Sequence, residues 1–324
     1  MPSTLPAANG LAQKVVEMRI REEIAPHIMS HFPAEQWADR LEAAVQEKLS
    51  ENSAQFVAEQ QRTVNEIKSE LTFTGGDGRR YAYLGDYDSY VWLRNARNYL
   101  TTGTTCDAIV GGECRDTYGN APVGYRMIYN RSLHIAAIVA AHRAMNFFRP
   151  GYPLPASAFL VPIILGALGA LPAFFIARRV GGNTAAIVAA VTISLDPIYL
   201  VRSIGSDNDV WNVVMPLYIA WLLIAALSAH SAARAALFAA FAGVATGIYA
   251  AVWRGWIFAC LVFLCAALGC FLLAALRRAA AGGWRSSLRS AGARAAAVSV
   301  VVYGLTSAVL GSLTAPSVFL VSPT

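Results

Sequence analysis

The chain has 324 residues, 56% of them apolar and only 14% charged, with a mean hydropathy of +0.45. That balance excludes an ordinary soluble domain. The net charge of +6 would suit a nucleic-acid surface. In so apolar a chain, however, clustered arginines mark cytoplasmic loops, and no nucleic-acid partner is expected.

Met1 to Leu71 holds no apolar run long enough to span or to target. Three soluble helices are expected there. Leu11–Ile28 mixes charges with apolar residues at helical spacing. Trp37, Leu41, Ala44, Val45 and Leu49 form one stripe within Pro33–Leu49, and Phe56–Leu71 repeats the pattern. Thr74–Arg80 (TGGDGRR) reads as a turn, because Gly-Gly and Asp-Gly adopt positive φ at little cost. A helix is expected over Tyr90–Leu100, after the acidic stretch Gly85-Asp86-Tyr87-Asp88, with Thr101–Tyr125 as loop. Cys106 and Cys114 are free to form a disulfide if this segment faces an oxidising space. Leu133–Phe148 is apolar but too short for a comfortable span, and reads as an interfacial amphipathic helix.

From Ala156 onward six apolar runs follow: Ala156–Ala177, Ala185–Val201, Val210–Ala229, Ala233–Val252, Trp256–Leu276 and Ala295–Leu313. Each is near the ~20 residues that a helix needs to cross ~30 Å of hydrocarbon. Cys260, Cys265 and Cys270 lie inside one run and read as small apolar residues, not a metal site. Arg178-Arg179, Arg234 and the stretch Arg277–Arg294, with its five arginines, alternate with arginine-poor connections. By the positive-inside rule the arginine-rich connections are cytoplasmic. The segment before Ala156, the turn Ser203–Asp209, the turn Trp253–Gly255 and the tail after Leu313 are then external. The expected division is a first external loop region over 1–155, a transmembrane bundle over 156–313 and the start of a later external loop over 314–324.

This topology puts Asp86 and Asp88 on the same face as Asp207 and Asp209. Two carboxylate clusters at one membrane surface suit a hard divalent cation, Mg²⁺ or Mn²⁺, which takes oxygen ligands and can neutralise a leaving phosphate. The plainer roles are a solvated loop acid for Asp86 and a helix N-cap for the Asp207-Asn208-Asp209 segment ahead of Val210. An ionisable residue in so short a connection between spans is nonetheless a functional candidate. Arg202, at the outer end of the preceding run, either snorkels or contacts an anion or peptide.

Tyr87-Asp88-Ser89-Tyr90-Val91-Trp92-Leu93-Arg94, continuing to Arg97-Asn98-Tyr99-Leu100, resembles the first acidic motif of the catalytic subunit of oligosaccharyltransferase, its archaeal forms especially. Arg202-Ser203-Ile204-Gly205-Ser206-Asp207-Asn208-Asp209 resembles the second motif. The flanking Pro172–Gly182 and Ser194-Leu195-Asp196-Pro197 also fit, so the likeness covers about Tyr81 to Leu276. It implies an all-α polytopic membrane protein of the GT-C glycosyltransferase type, with a long helical first external loop. It implies transfer of an oligosaccharide from a dolichyl phosphate or pyrophosphate carrier to Asn in Asn-x-Ser/Thr, at the external face of the cell membrane. Asp88, Asp209 and Arg202 would be catalytic, and Asp88, Asp207 and Asp209 would hold Mn²⁺ or Mg²⁺. The partners implied are the lipid-linked donor, an acceptor polypeptide and membrane lipid.

Arg202 stands two residues nearer the acidic pair than the family pattern has it. A span before the first motif, an external loop with a catalytic Glu, and a Trp-Trp-Asp-Tyr-Gly string are also expected of the family and do not occur in these residues. The chain therefore reads as a fragment, inactive by itself. Two other readings are a protein mannosyltransferase-like enzyme on a polyprenyl-phosphate sugar, and a transporter, for which Asp196-Pro197 is the one hint. Asn130-Arg131-Ser132 is itself a sequon, a tripeptide common by chance.

Overall fold

The computed structural model describes residues 6–51, 53–84, 87–127, 132–196, 206–282 and 291–314. It divides into two compact units, Met1–Tyr83 and Leu84–Thr324.

The first unit is built from α1 (Pro6–His31), α2 (Trp37–Glu51) and α3 (Ser53–Glu70). Val16, Ile20 and Ile24 recur every four residues on α1, and Leu41, Val45 and Leu49 do so on α2. Residues spaced by four share a helix face, and the two faces close on one another with Phe56. Arg21–Glu42 at 2.6 Å and Lys48–Glu23 at 2.8 Å decorate the seam; such exposed pairs contribute little. The expected TGGDGRR turn joins β1 (Thr72–Thr74) to β2 (Arg80–Ala82) as an antiparallel hairpin. Gly78 adopts φ +75° there, a conformation that glycine takes without strain.

The second unit opens with α4 (Tyr87–Thr102). The segment expected to be loop instead contains a small antiparallel sheet of β3 (Ala108–Val110), β4 (Glu113–Asp116) and β5 (Tyr125–Arg126), in the order β3-β4-β5. Gly111 and Gly112, at φ +60° and +83°, form the two-residue turn between β3 and β4, where positive φ matches the twist of the paired strands. Cys106 and Cys114 are bonded, with Cα atoms 5.2 Å apart. Next, α5 (Leu133–Phe148) is capped by Ser132, whose hydroxyl accepts from the His134 N–H. Its face of His134, Ile135, Ile138 and Val139 is buried, and the helix packs against α4 and α6.

The membrane-spanning part comprises α6 (Leu154–Leu195), α7 (Asp209–Leu227), α8 (Ala232–Ala250), α9 (Trp256–Gly282) and α10 (Ala291–Thr314). Five helices among the described residues are long and apolar enough to cross a membrane. The expected run Ala156–Ala177, and Ala185–Val201 as far as Leu195, fall within α6, which breaks at Gly181 and Gly182; Gly182 sits at φ +71°. The described structure is predominantly helical, as the sequence implies.

The core of the bundle gathers Trp211, Ile219 and Leu223 of α7, Tyr249 of α8 and Tyr303 of α10. α8 and α10 approach one another closely. A Cβ added at Gly243 would lie 2.5 Å from Thr306 Cβ, and one at Gly247 would lie 2.6 Å from Leu310 Cβ. Glycines four apart let two helix backbones approach where hydrocarbon supplies no hydrophobic drive. Thr246, between them, donates to the Tyr303 hydroxyl across the interface at 3.3 Å.

Candidate active site

One face of α4 starts the site. Asp88, Trp92 and Asn95 fall at helical spacing and line a cleft of about 400 Å³ with Val91. Asp88 is exposed, whereas Trp92 and Asn95 are buried. Across the cleft stand Asp207, Asn208 and Trp253, and its third wall is Asp116, Tyr125 and Met127. Trp92 Nε1 donates to Asp207 Oδ1 at 3.3 Å, and the same oxygen accepts from the Asn208 N–H at 2.6 Å. The two acidic motifs, more than a hundred residues apart in sequence, thus share one cleft.

Asp209 opens α7 two residues beyond Asp207. Asn212 Nδ2 donates to its Oδ1 at 3.1 Å, and the Tyr249 hydroxyl donates to Asn212 Oδ1 at 2.9 Å. Those bonds tie it to α8, and it is not among the residues lining the cleft. Arg202, Asp86 and the Asn130-Arg131 part of the sequon lie outside the described residues.

Asp116 is a cleft residue that the sequence did not disclose. Its carboxylate faces Arg94 at 2.5 Å, and the same guanidinium faces Asp107 at 3.2 Å. The Arg94 side chain is 15% exposed, and those of Asp107 and Asp116 are 6% and 3% exposed. Tyr118 lies under the guanidinium, 4.7 Å from it. Burial pushes the Asp116 carboxyl up. The N–H groups of Gly119 and Tyr118, the Arg94 charge and the Tyr125 hydroxyl outweigh that and hold it below the usual carboxylate range. Arg94, expected only as part of a motif, therefore anchors the β3-β5 sheet to α4 and aims Asp116 at the cleft. The Gly111-Gly112 hairpin signal in the sequence could have exposed this sheet.

Below the cleft lies a buried polar knot. Ser206 donates its N–H to Ser89 Oγ at 2.6 Å. Its carbonyl faces His134 Nε2 at 2.6 Å, and Trp211 Nε1 donates to His134 Nδ1 at 3.1 Å. An indole N–H can only donate, so Nδ1 is the bare nitrogen and Nε2 carries the proton given to Ser206. His134 is fully buried, with Trp92 edge-on at 5.3 Å. Burial depresses its pKa to about 4, against the opposing pull of the Ser206 carbonyl.

Among the described residues no three His, Cys, Asp or Glu side chains gather tightly enough to form a ready metal cage. The donor set of the cleft still fits a hard cation. Its described titratable lining residues are carboxylates and one tyrosine, with no thiol or imidazole among them. Asn95 Oδ1, in a residue 1% exposed, also has no hydrogen-bond partner among the described residues, and a buried polar atom of this kind calls for a ligand or water. A larger cavity of about 590 Å³ between α4 and α5 mixes Tyr99, Arg143, Thr104, Thr105 and Ser132 with apolar residues, and no carboxylate is among its described lining residues.

The opposite end of α7 has a different character. Arg179 reaches the Ile224 carbonyl at 3.4 Å, and Phe175 stacks on Trp221 at 5.0 Å. The 19 residues of α7 separate these ends by about 28 Å, at ~1.5 Å per residue.

A bundle of apolar helices long enough to cross a membrane defines a multi-pass membrane protein. The family model for Oligosaccharyl transferase STT3, N-terminal, matches residues 55–319, and the chain belongs to that family, whose fold is the GT-C type. A dolichyl-phosphooligosaccharide-protein glycotransferase of Methanococcus voltae is 28% identical over 193 residues, which is 57% of this chain and 21% of the relative. Another with the same name, from Methanocaldococcus jannaschii, is 27% identical over 181 residues, 54% of this chain and 19% of the relative. The matched part spans about a fifth of each relative's length. The family match sets aside the mannosyltransferase and transporter readings.

Proposed function

We propose that this chain contributes the acidic cleft of an oligosaccharyltransferase, in which an oligosaccharide passes from a dolichyl phosphate or pyrophosphate carrier to Asn of an Asn-x-Ser/Thr acceptor. The observation that carries this reading is the meeting of Asp88 and Asp207 on one cleft, in a chain whose relatives are named for this transfer.

Asp88 and Asp207 are the residues that would hold Mn²⁺ or Mg²⁺, with Asp209 at the start of α7 as the third carboxylate. The cation, when bound, supplies positive charge that neutralises the leaving phosphate. Asp88, exposed at the mouth of the cleft, accepts hydrogen bonds from the acceptor amide. An amide nitrogen is a poor nucleophile because its lone pair is delocalised, and carboxylates gripping its hydrogens reduce that delocalisation. Trp92, by donating to Asp207, keeps that carboxylate turned to the cleft. Arg202 orients the acceptor.

The cleft faces the outside of the cell membrane in this reading. The arginines at the far end of α7 support it through the positive-inside rule, and the Cys106–Cys114 bond supports it because disulfides persist in oxidising compartments. The region 1–155 is then the first external loop, 156–313 the bundle and 314–324 the start of a later external loop.

The test is a transfer assay on native membranes carrying the protein, with a dolichyl-linked oligosaccharide and a sequon peptide. Glycopeptide should form with Mn²⁺ or Mg²⁺ and should be lost in Asp88→Ala and in Asp207→Ala. Transfer that survives both changes overturns the assignment.

A further inference from the structure

We propose that His134 is a positioning residue which, together with Ser89, clamps the backbone at Ser206 and so holds Asp207 beside Asp88. Both polar groups of the Ser206 backbone are taken from outside its own segment. Its N–H goes to Ser89, the residue after Asp88, and its carbonyl goes to His134 on α5. Ser206 immediately precedes Asp207, so its two bonds fix the peptide from which that carboxylate projects. Trp211 on α7 holds the imidazole from behind through Nδ1, which leaves Nε2 as the donor. Ser89, Ser206 and His134 are each 0% exposed, so water does not replace a lost partner without rearrangement. The Leu133 N–H to Ala251 carbonyl bond at 3.0 Å moors the start of the same helix to the end of α8. His134 therefore belongs to a frame shared by α4, α5, α7 and the turn ahead of α7.

The clamp stands on this geometry alone; its consequence for metal affinity rests on the function proposed above. Four variants separate the bonds. His134→Gln can still donate to the Ser206 carbonyl. His134→Asn places an acceptor near Trp211 but falls short of Ser206. His134→Phe keeps a ring against Trp92 and loses both bonds, and Ser89→Ala frees the Ser206 N–H.

Hydrogen exchange at Ser206–Asn208 in the detergent-solubilised chain reads the clamp directly. His134→Phe, His134→Asn and Ser89→Ala should exchange there about tenfold faster, the scale of one lost hydrogen bond, with His134→Gln near wild type. Mn²⁺ titration followed by electron paramagnetic resonance should show about tenfold or more weaker binding in the same three variants. Unchanged exchange in His134→Phe, or equal behaviour of His134→Asn and His134→Gln, overturns the clamp. If His134→Phe does not fold, the Asn and Gln variants, which each keep a different bond, decide the question. Mn²⁺ binding indifferent to Asp88→Asn and Asp207→Asn would sink the metal reading instead, while the exchange result still decides the clamp.

Discussion

The two ends of α7 are held by different means. At the Asp207 end the chain is fixed by polar bonds between residues distant in sequence: Ser89 to Ser206, His134 to Ser206, Trp211 to His134 and Trp92 to Asp207. At the Ile224 end the described contacts are apolar packing of Leu223 and Ala226, an aromatic stack and a long bond from Arg179, with exposed arginines beside them. Buried polar networks specify one arrangement and are costly to leave half-satisfied, whereas apolar packing tolerates substitution. The acidic end should therefore be brittle and the arginine end forgiving.

The largest effect expected is at Arg94. Arg94→Ala leaves the carboxylates of Asp107 and Asp116 buried without their cation and should cost about 3–5 kcal/mol, seen as a large drop in melting temperature in detergent. Arg94→Lys should recover only part of it, because one ammonium cannot span both acids.

Acid should weaken the same end. His134 has a folded pKa of about 4 against 6.5 unfolded, so the unfolded chain binds the extra proton. Stability is fully present above pH 6.5 and falls as the pH drops from 6.5 toward 4, by about 3 kcal/mol at most, at ~1.4 kcal/mol per pH unit. Asp116, whose pKa is depressed, adds a further loss at still lower pH. Melting curves between pH 7 and pH 4 should be steep for wild type and flatter for His134→Gln; equal slopes would remove His134 from the account.

Midway between the ends, Gly243→Val forces side-chain atoms into Thr306 and should cost about 1–3 kcal/mol, by the same melting assay. The smallest effect belongs to the arginine end. Arg178→Gln and Arg179→Gln should each change stability by about 0.5 kcal/mol or less, and a loss as large as that of Arg94→Ala would erase the contrast between the ends.

The bundle and the pairing of Asp88 with Asp207 were legible because length, hydropathy and arginine placement are properties of the chain read in order. The break in α6 was legible for the same reason, since Gly181-Gly182 separates two apolar runs. Asp116 and His134 were not. Asp116 reaches the cleft through an ion pair 22 positions away, and His134 works through a carbonyl 72 positions away. In sequence, His134 is an isolated polar residue on a short apolar helix, the usual look of a side chain without special work. Neither periodicity nor charge count reports which distant backbone group such a ring will meet.

The glycines of α8 carry a consequence for how this protein can change over generations. Alanine, the least disruptive replacement that one base change in a glycine codon can give, already puts its methyl within 2.5 Å of Thr306 Cβ at position 243 and within 2.6 Å of Leu310 Cβ at position 247. The two sites should vary only in step with their partners on α10. Because the clash is with Cβ itself, a larger residue at 243 should be accompanied among relatives by glycine at 306, and likewise for 247 and 310, so that this interface leaves its trace as paired drift.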